Sequence, residues 1–576
     1  MSAVSHRWRD LIVVQWSLLL ALVVALPWRG SGFLLSYDMV WIPSWTLDRH
    51  DLWGVGTAVP RAVPSDGVIA LLSEVVDPVV LQRAVLIGAI ALGGVGAARL
   101  VDHCGLGVRL VAATYALWNP FVAERLVLGQ WPVLVALACF PWIVVAVRDP
   151  KAVRGVVLTL ALAGTALSVA TGIMGLVVAL VAGWRSGVLR IVLLALLVNA
   201  PWIVATVTRF EPVTSDPDGV TAFAAQSEGP LGRLGALLSL GGIWNSEVVP
   251  SSRTTVVSAV LVVVLLLVVV LGVVHWARSD RRLLVPLAVL AVVGHAIAAW
   301  GWLAPGTLED LIAWQGATGV LRDGTRYLAL AVPFHALALA HGAGFLGARV
   351  GSLAQDVRWS VVGVVAVLAL PLAALPDLAN GVGGRLTPVE YPASWETAAA
   401  TIESSTVRGD LLVLPFAPYR APSWNESRPV LDPAGRYFDR DTVVDDALTV
   451  SDVTLAGEDP RAADVAAVLD DPASTSVDLA RLGLGVVLVD VEAPGGNVLP
   501  PALSGAREVG SPDADLRVFE IDGARRVAAT DEVVTAVTVA WSLAALTVGL
   551  ALLVALARLP RRVRDAAAAL ARPTWT

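Results

Sequence analysis

Long apolar runs recur along the chain with polar, turn-rich connections between them. They lie near 11–28, 84–101, 108–121, 131–147, 153–170, 172–184, 189–207, 255–276, 283–303, 326–346, 358–377 and 533–556. A helix crossing a ~30 Å hydrocarbon layer needs about 17–25 such residues. Most of the runs meet that length, the third and sixth being short, so the pattern predicts a polytopic α-helical membrane protein with about twelve spans. No signal-peptide cleavage pattern follows the first run, which is therefore expected to remain as a helix. Between the last two runs the pattern changes. DLLVLPF (410–416), LGVVLVD (484–490) and LRVFEI (516–521) predict strands. DPRAADVAAVLDD (459–471) has the apolar spacing of a helix. The expected organisation is a membrane domain over 1–378 with a long first loop at 29–83, a small α/β or α+β domain over 379–530, and a last helix and basic tail over 531–576.

Composition supports this class: 56% of the 576 residues are hydrophobic and only 15% charged, far from a soluble enzyme. Charge then orients the chain. Alternate connections carry Arg7 and Arg9; Arg99 and Arg109; Arg148, Lys151 and Arg154; Arg185 and Arg190; Arg278, Arg281 and Arg282; Arg349 and Arg358; and the tail Arg558, Arg561, Arg562, Arg564 and Arg572. These nineteen of the 41 basic residues are accompanied by six aspartates, leaving roughly 42 acids against 22 bases elsewhere. By the positive-inside rule both termini are expected in the cytosol of a plasma membrane protein, with 29–83, 122–130, 208–254, 304–325 and 379–530 outside. A net charge of −7 and a pI near 5.6 give no support to nucleic-acid binding. Cys104 and Cys139 form no disulfide framework. There is no phosphate-cradling Gly-Lys loop and no Cys/His cluster at metal spacing. His295, His335 and His341 read as polar groups bonded to a neighbouring helix.

Three stretches carry candidate chemistry. In SYDMVWIPSW (36–45), Asp38 sits beside Tyr37, Trp41 and Trp45 shortly after the first run, with Asp48, Asp51 and Asp66 following in the same loop. Asp38 is either a wetted loop acid or a partly desolvated group at the headgroup boundary, where those aromatics are expected. In WNPFVAERLVLGQWP (118–132), Glu124 and Arg125 interrupt an apolar region, and Pro120, Gly129 and Pro132 mark a tight reversal. Such a charge pair is a helix-tying corner or part of a site. In LRDGTRYL (321–328), Arg322 and Arg326 flank Asp323 beside Tyr327. Either arginine alone reads as a helix anchor, and the two together point to an anion.

The loop-borne aspartate after the first helix, the long first loop, the dozen runs and the C-terminal domain resemble the GT-C superfamily of integral-membrane glycosyltransferases, which often carry an acidic pair where SYDMV supplies one acid. WNPFVAERLVLGQW and PSWNESRPVLDPAGRYF (422–438) resemble membrane proteins of mycolic-acid-containing bacteria, whose envelope-building enzymes use polyprenyl-phosphate arabinose or mannose. The resemblance implies an inverting transfer to a cell-envelope glycan or glycolipid, with Asp38 as general base and Glu124, Tyr37, Asp48 and Tyr327 as supporting groups. Arg322, Arg326 and Arg125 would stabilise the leaving phosphate. Trp424, Asn425 and Tyr437, with Trp395 and Tyr419, would offer platforms to the glycan or pack the domain against the membrane portion. No metal ligands are assigned, although a divalent cation is compatible with such an enzyme. The expected partners are membrane lipid, the lipid-linked donor, the glycan acceptor and other envelope-biosynthesis proteins. Two other readings stay open: a catalytically inactive GT-C-like scaffold and a lipid-linked-glycan transporter.

Overall fold

The computed structural model describes residues 3–56, 59–148, 152–184, 187–209, 214–450, 453–511, 514–527 and 529–558. Lys151, Arg185, Arg561, Arg562, Arg564 and Arg572 lie outside the described residues. Every predicted apolar run contains a helix that covers most of its described part. Among the described residues, seven helices are individually long and apolar enough to cross a membrane: Pro78–Leu100, Trp131–Arg148, Val188–Val207, Val256–Ser279, Arg281–Leu303, Val357–Ala374 and Asp531–Ala557. An eighth arises if Gly324–Leu330 and Val332–Ala354, bent by 46°, are counted as one span. The remaining runs form Ala3–Val24, which carries Arg7, Arg9 and Asp10, and the shorter helices Leu106–Leu117, Ala152–Thr165 and Val169–Gly183.

Val332–Ala354 is central and packs against Leu106–Leu117, Val256–Ser279 and Val357–Ala374. Small residues allow this: a methyl group at Gly272 would lie 1.8 Å from the carbonyl oxygen of Ala338, so the two backbones are already in contact.

The expected C-terminal domain is an α/β unit. Its five-stranded sheet runs in the order 442–443, 410–414, 484–490, 516–520, 507–509. The first three strands are parallel and the last two antiparallel to their neighbours. Side-chain alternation sends Leu411 and Val413 to a face shared with Trp395 and Phe438, and Leu412 and Leu414 to a face shared with Val465 and Leu479. Both faces are covered, so the central strands read as unbroken apolar runs rather than alternating ones.

Two connections are more ordered than their composition predicts. The first loop contains the helix Ser65–Ser73. Residues 122–130, expected as a bare reversal, begin inside the helix Pro120–Val127, because Asn119 caps it by accepting from the Val122 amide and Pro120 occupies its first turn. The reversal itself is confined to Gly129, at φ +78°.

Candidate functional site

The three stretches meet. Gly129 has no side chain where a Cβ would stand 2.3 Å from both the Met39 amide nitrogen and the Ser36 carbonyl oxygen, so SYDM lies directly on the turn after the 120–127 helix. The Asp38 amide donates to the Leu128 carbonyl at 3.1 Å, and Ser36 Oγ donates to the Val127 carbonyl at 2.6 Å. On the other side Tyr37, at φ +44°, takes a place on a two-stranded ribbon of the α/β domain. Its amide donates to Pro429 O at 2.7 Å, and its carbonyl accepts from the Leu431 amide at 2.8 Å. That ribbon pairs 419–420 with 430–431 and delivers Tyr419 to Asp38.

Asp38 is half-buried and both its oxygens are engaged. Tyr419 Oη donates to Oδ1 at 2.6 Å, and Gln130 Nε2 donates to Oδ2 at 3.1 Å. The orientation of the Gln130 amide is fixed by Arg125, whose Nη1 donates to Gln130 Oε1 at 2.7 Å. Arg125 also forks onto Asp323 at 3.0 and 3.3 Å and donates to Thr325 Oγ1 at 2.6 Å. Arg326 reaches the same Asp323 at 3.1 Å. A continuous polar chain thus runs from Tyr419 through Asp38, Gln130, Arg125 and Asp323 to Arg326. Burial pushes Asp323 upward, but Arg125, Arg326 and the hydrogen bonds from Arg125 and Thr325 outweigh it and hold the carboxyl down to about 2. Asp323 is therefore an anion that anchors two guanidinium groups. Burial, and the Asp38 carboxylate that it touches, push Tyr419 well above the usual phenol range, so it remains a donor.

The other predicted residues divide. Arg125 is 1% exposed and its Nη atoms are committed to protein partners, so it positions Gln130 and Asp323 and is not placed to receive a phosphate. Arg322 is partly exposed, lies over the Phe223 ring and pairs with Glu458 at 3.0 Å. Arg326 is 26% exposed, and its Nε has no hydrogen-bond partner among the described residues. Glu124 turns the opposite way from Arg125, into a buried cluster with Glu228 and Arg253. Burial first, and then the neighbouring Glu228, push its carboxyl well above the usual range.

Tyr37 donates from its hydroxyl to Glu247, and burial together with that carboxylate pushes it up to about 12. Tyr327 is buried and bonded to the Val320 carbonyl, so it serves the local fold. Asp48 is exposed, whereas Asp51 pairs with Arg49 and Asp66 with Arg436. Trp41, expected at a headgroup boundary, is fully buried 5.7 Å from Trp131. Asn425, expected to offer its amide to a glycan, is fully buried and bonds Arg428 within its own turn. Trp424 and Tyr437 pack with Tyr391 and Trp395 in one aromatic cluster, the packing alternative for these rings.

Beside Tyr419 lies a cleft of about 300 Å³ between residues 45–66 of the first loop and residues 418–459 of the α/β domain. Its walls are locked together by arginines. Arg49 donates to the carbonyls of Gly435, Arg436 and Phe438, Arg436 pairs with Asp66 at 2.6 Å, and Arg61 pairs with Glu458 at 2.9 Å. Among the described residues no group of three or more His, Cys, Asp or Glu side chains is placed to hold a metal ion. No family model matches the chain, and no curated protein matches it.

Proposed function

We propose that this protein is a membrane-embedded glycosyltransferase of GT-C type, with about twelve spans and its α/β domain extracytoplasmic, that transfers a sugar such as arabinose or mannose from a polyprenyl-phosphate donor to an envelope glycan or glycolipid. One observation carries the reading. Asp38, the only acid in SYDMV, stands at the junction of the first loop, the 120–130 turn and the α/β domain, joined by a fixed polar chain to Arg326. A general base must be held in position and kept ionised near the acceptor, and a leaving phosphate needs a preorganised cation nearby. The asymmetric charge of alternate connections supports the orientation.

In the proposed reaction an acceptor hydroxyl gives its proton to Asp38 as its oxygen bonds to the anomeric carbon, and the carbon–oxygen bond to the polyprenyl phosphate breaks with its electron pair on phosphate. Gln130 and Arg125 hold the base, while Arg326, with Arg322 beside it, faces the phosphate. Asp38→Asn keeps shape and donor binding but accepts no proton, so transfer by the purified protein should fall about 10²–10⁴-fold. Asp48→Asn, at an exposed position, should be mild. Full transfer by Asp38→Asn would remove this residue from the mechanism.

A second reading has its own observation. Because both carboxylate oxygens of Asp38 are satisfied by protein donors, the same geometry suits a structural joint in an inactive scaffold. Full complementation of a deletion strain by Asp38→Asn would favour it.

A further inference from the structure

The cleft beside Tyr419 has a composition that selects its occupant. Six aspartates line it, namely Asp51, Asp66, Asp432, Asp445, Asp446 and Asp459, against three arginines, Arg49, Arg61 and Arg436. Arg49 pairs with Asp51, Arg436 with Asp66 and Arg61 with Glu458, and Asp432 is held by Arg420 from behind the wall; the carboxylates of the lining still outnumber its guanidinium groups by six to three, an excess that disfavours phosphates and uronates. Its volume is at the lower end for small-ligand sites and suits one or two sugar rings. Trp45 supplies an aromatic wall, and its indole Nε1 is a buried donor with no hydrogen-bond partner among the described residues. Carboxylates accept from paired hydroxyls, and an indole ring covers the apolar face of a pyranose or furanose. Tyr419 belongs to both places: it lines the cleft and caps Asp38 Oδ1 at 2.6 Å.

We propose that this cleft binds a neutral polyhydroxylated ligand, a saccharide chain, and that a hydroxyl of the bound ligand replaces the Tyr419 hydroxyl on Asp38 Oδ1. Tyr419 is then a displaceable cap that occupies the position of the reacting hydroxyl until ligand arrives. The exchange substitutes one O–H donor for another and transfers no proton in itself. The role of the ligand as sugar acceptor rests on the transferase reading, whereas its binding does not.

The test is calorimetric titration of the full chain in nanodiscs with a neutral tetrasaccharide and with one of equal length carrying uronate groups. The neutral ligand should bind and the uronate should not. Trp45→Phe and Asp445→Asn, with melting temperatures unchanged, should each weaken binding about tenfold, the weight of one hydrogen bond. Tyr419→Phe should tighten it several-fold, because Asp38 no longer has a competing donor to release. Absence of neutral binding at millimolar concentration, equal binding of the uronate, or indifference to both wall variants would overturn the site. Weaker binding in Tyr419→Phe would overturn the cap. Saccharide binding without transfer from any polyprenyl-phosphate sugar leaves the cleft standing and removes the transferase reading. Transfer that ignores the wall variants does the reverse.

Discussion

Adjacent buried residues on the 120–127 helix meet different electrostatic surroundings, because their side chains turn to opposite sides. Arg125 pairs at 3.0 Å with Asp323, whose carboxyl it helps hold down to about 2. Without Arg125 the buried Asp323 keeps only the partly exposed Arg326 as a cation, so Arg125→Met should cost about 3 kcal/mol, the low end for breaking a buried pair. Adding Asp323→Asn should restore part of that, as read from melting of the single and double variants. Glu124 shares its cation, since Glu228 takes Arg253 through contacts of 2.8 and 2.6 Å, and burial with the neighbouring Glu228 pushes its carboxyl well above the usual range. The folded state binds the proton more tightly than the unfolded one, so stability is full below the ordinary value of 4.5 and declines as pH rises toward the folded value. Glu124→Gln removes that decline. Its advantage over the native protein should grow by about 1.4 kcal/mol per pH unit across this window, and parallel pH profiles of the two proteins would refute the assignment.

At the scale of elements, backbone approach matters more than side-chain chemistry. Gly129 combines a left-handed φ with contact against the SYDM backbone, and both forbid a Cβ. Gly129→Ala should therefore cost well over the ~1 kcal/mol of an unfavourable φ alone and should lower transfer by displacing Asp38 from Gln130. Gly88, inside the Pro78–Leu100 helix, has open space around its would-be Cβ. Gly88→Ala should be neutral or stabilising by up to about 1 kcal/mol, since Ala is the better helix former. Melting and transfer assays on the two variants separate a close approach from a mere helix glycine.

At the scale of the whole molecule, the α/β domain is fixed to the first loop by Arg49, Arg61 and Arg436, which gives the helical portion its Tyr419. The proposed extracytoplasmic side of the domain has a direct test: a cysteine introduced at exposed Ser423 in a cysteine-free background should react with an impermeant reagent in intact cells. Labelling only after lysis would invert the topology. The sequence by itself determined the elements: the helices within the apolar runs, the strands 410–414, 484–490 and 516–520 and the helix 460–470 follow from local periodicity, which each segment carries within itself, whereas only seven or eight of the dozen runs form helices of membrane length. It also marked Asp38, Arg125, Asp323 and Arg326, because charges beside apolar runs are costly and therefore conspicuous. Gln130, Arg49 and Glu458 stood out by no local signal, and Tyr419 only as one aromatic among several. Only the tertiary structure decided that Tyr419, 381 positions away, donates to Asp38, that Arg125 holds Gln130 instead of facing solvent, and that Asn425 is spent inside its own turn. Hydrogen bonds of this kind depend on ångström-scale placement of distant segments, and that placement is set by the packing of the whole chain.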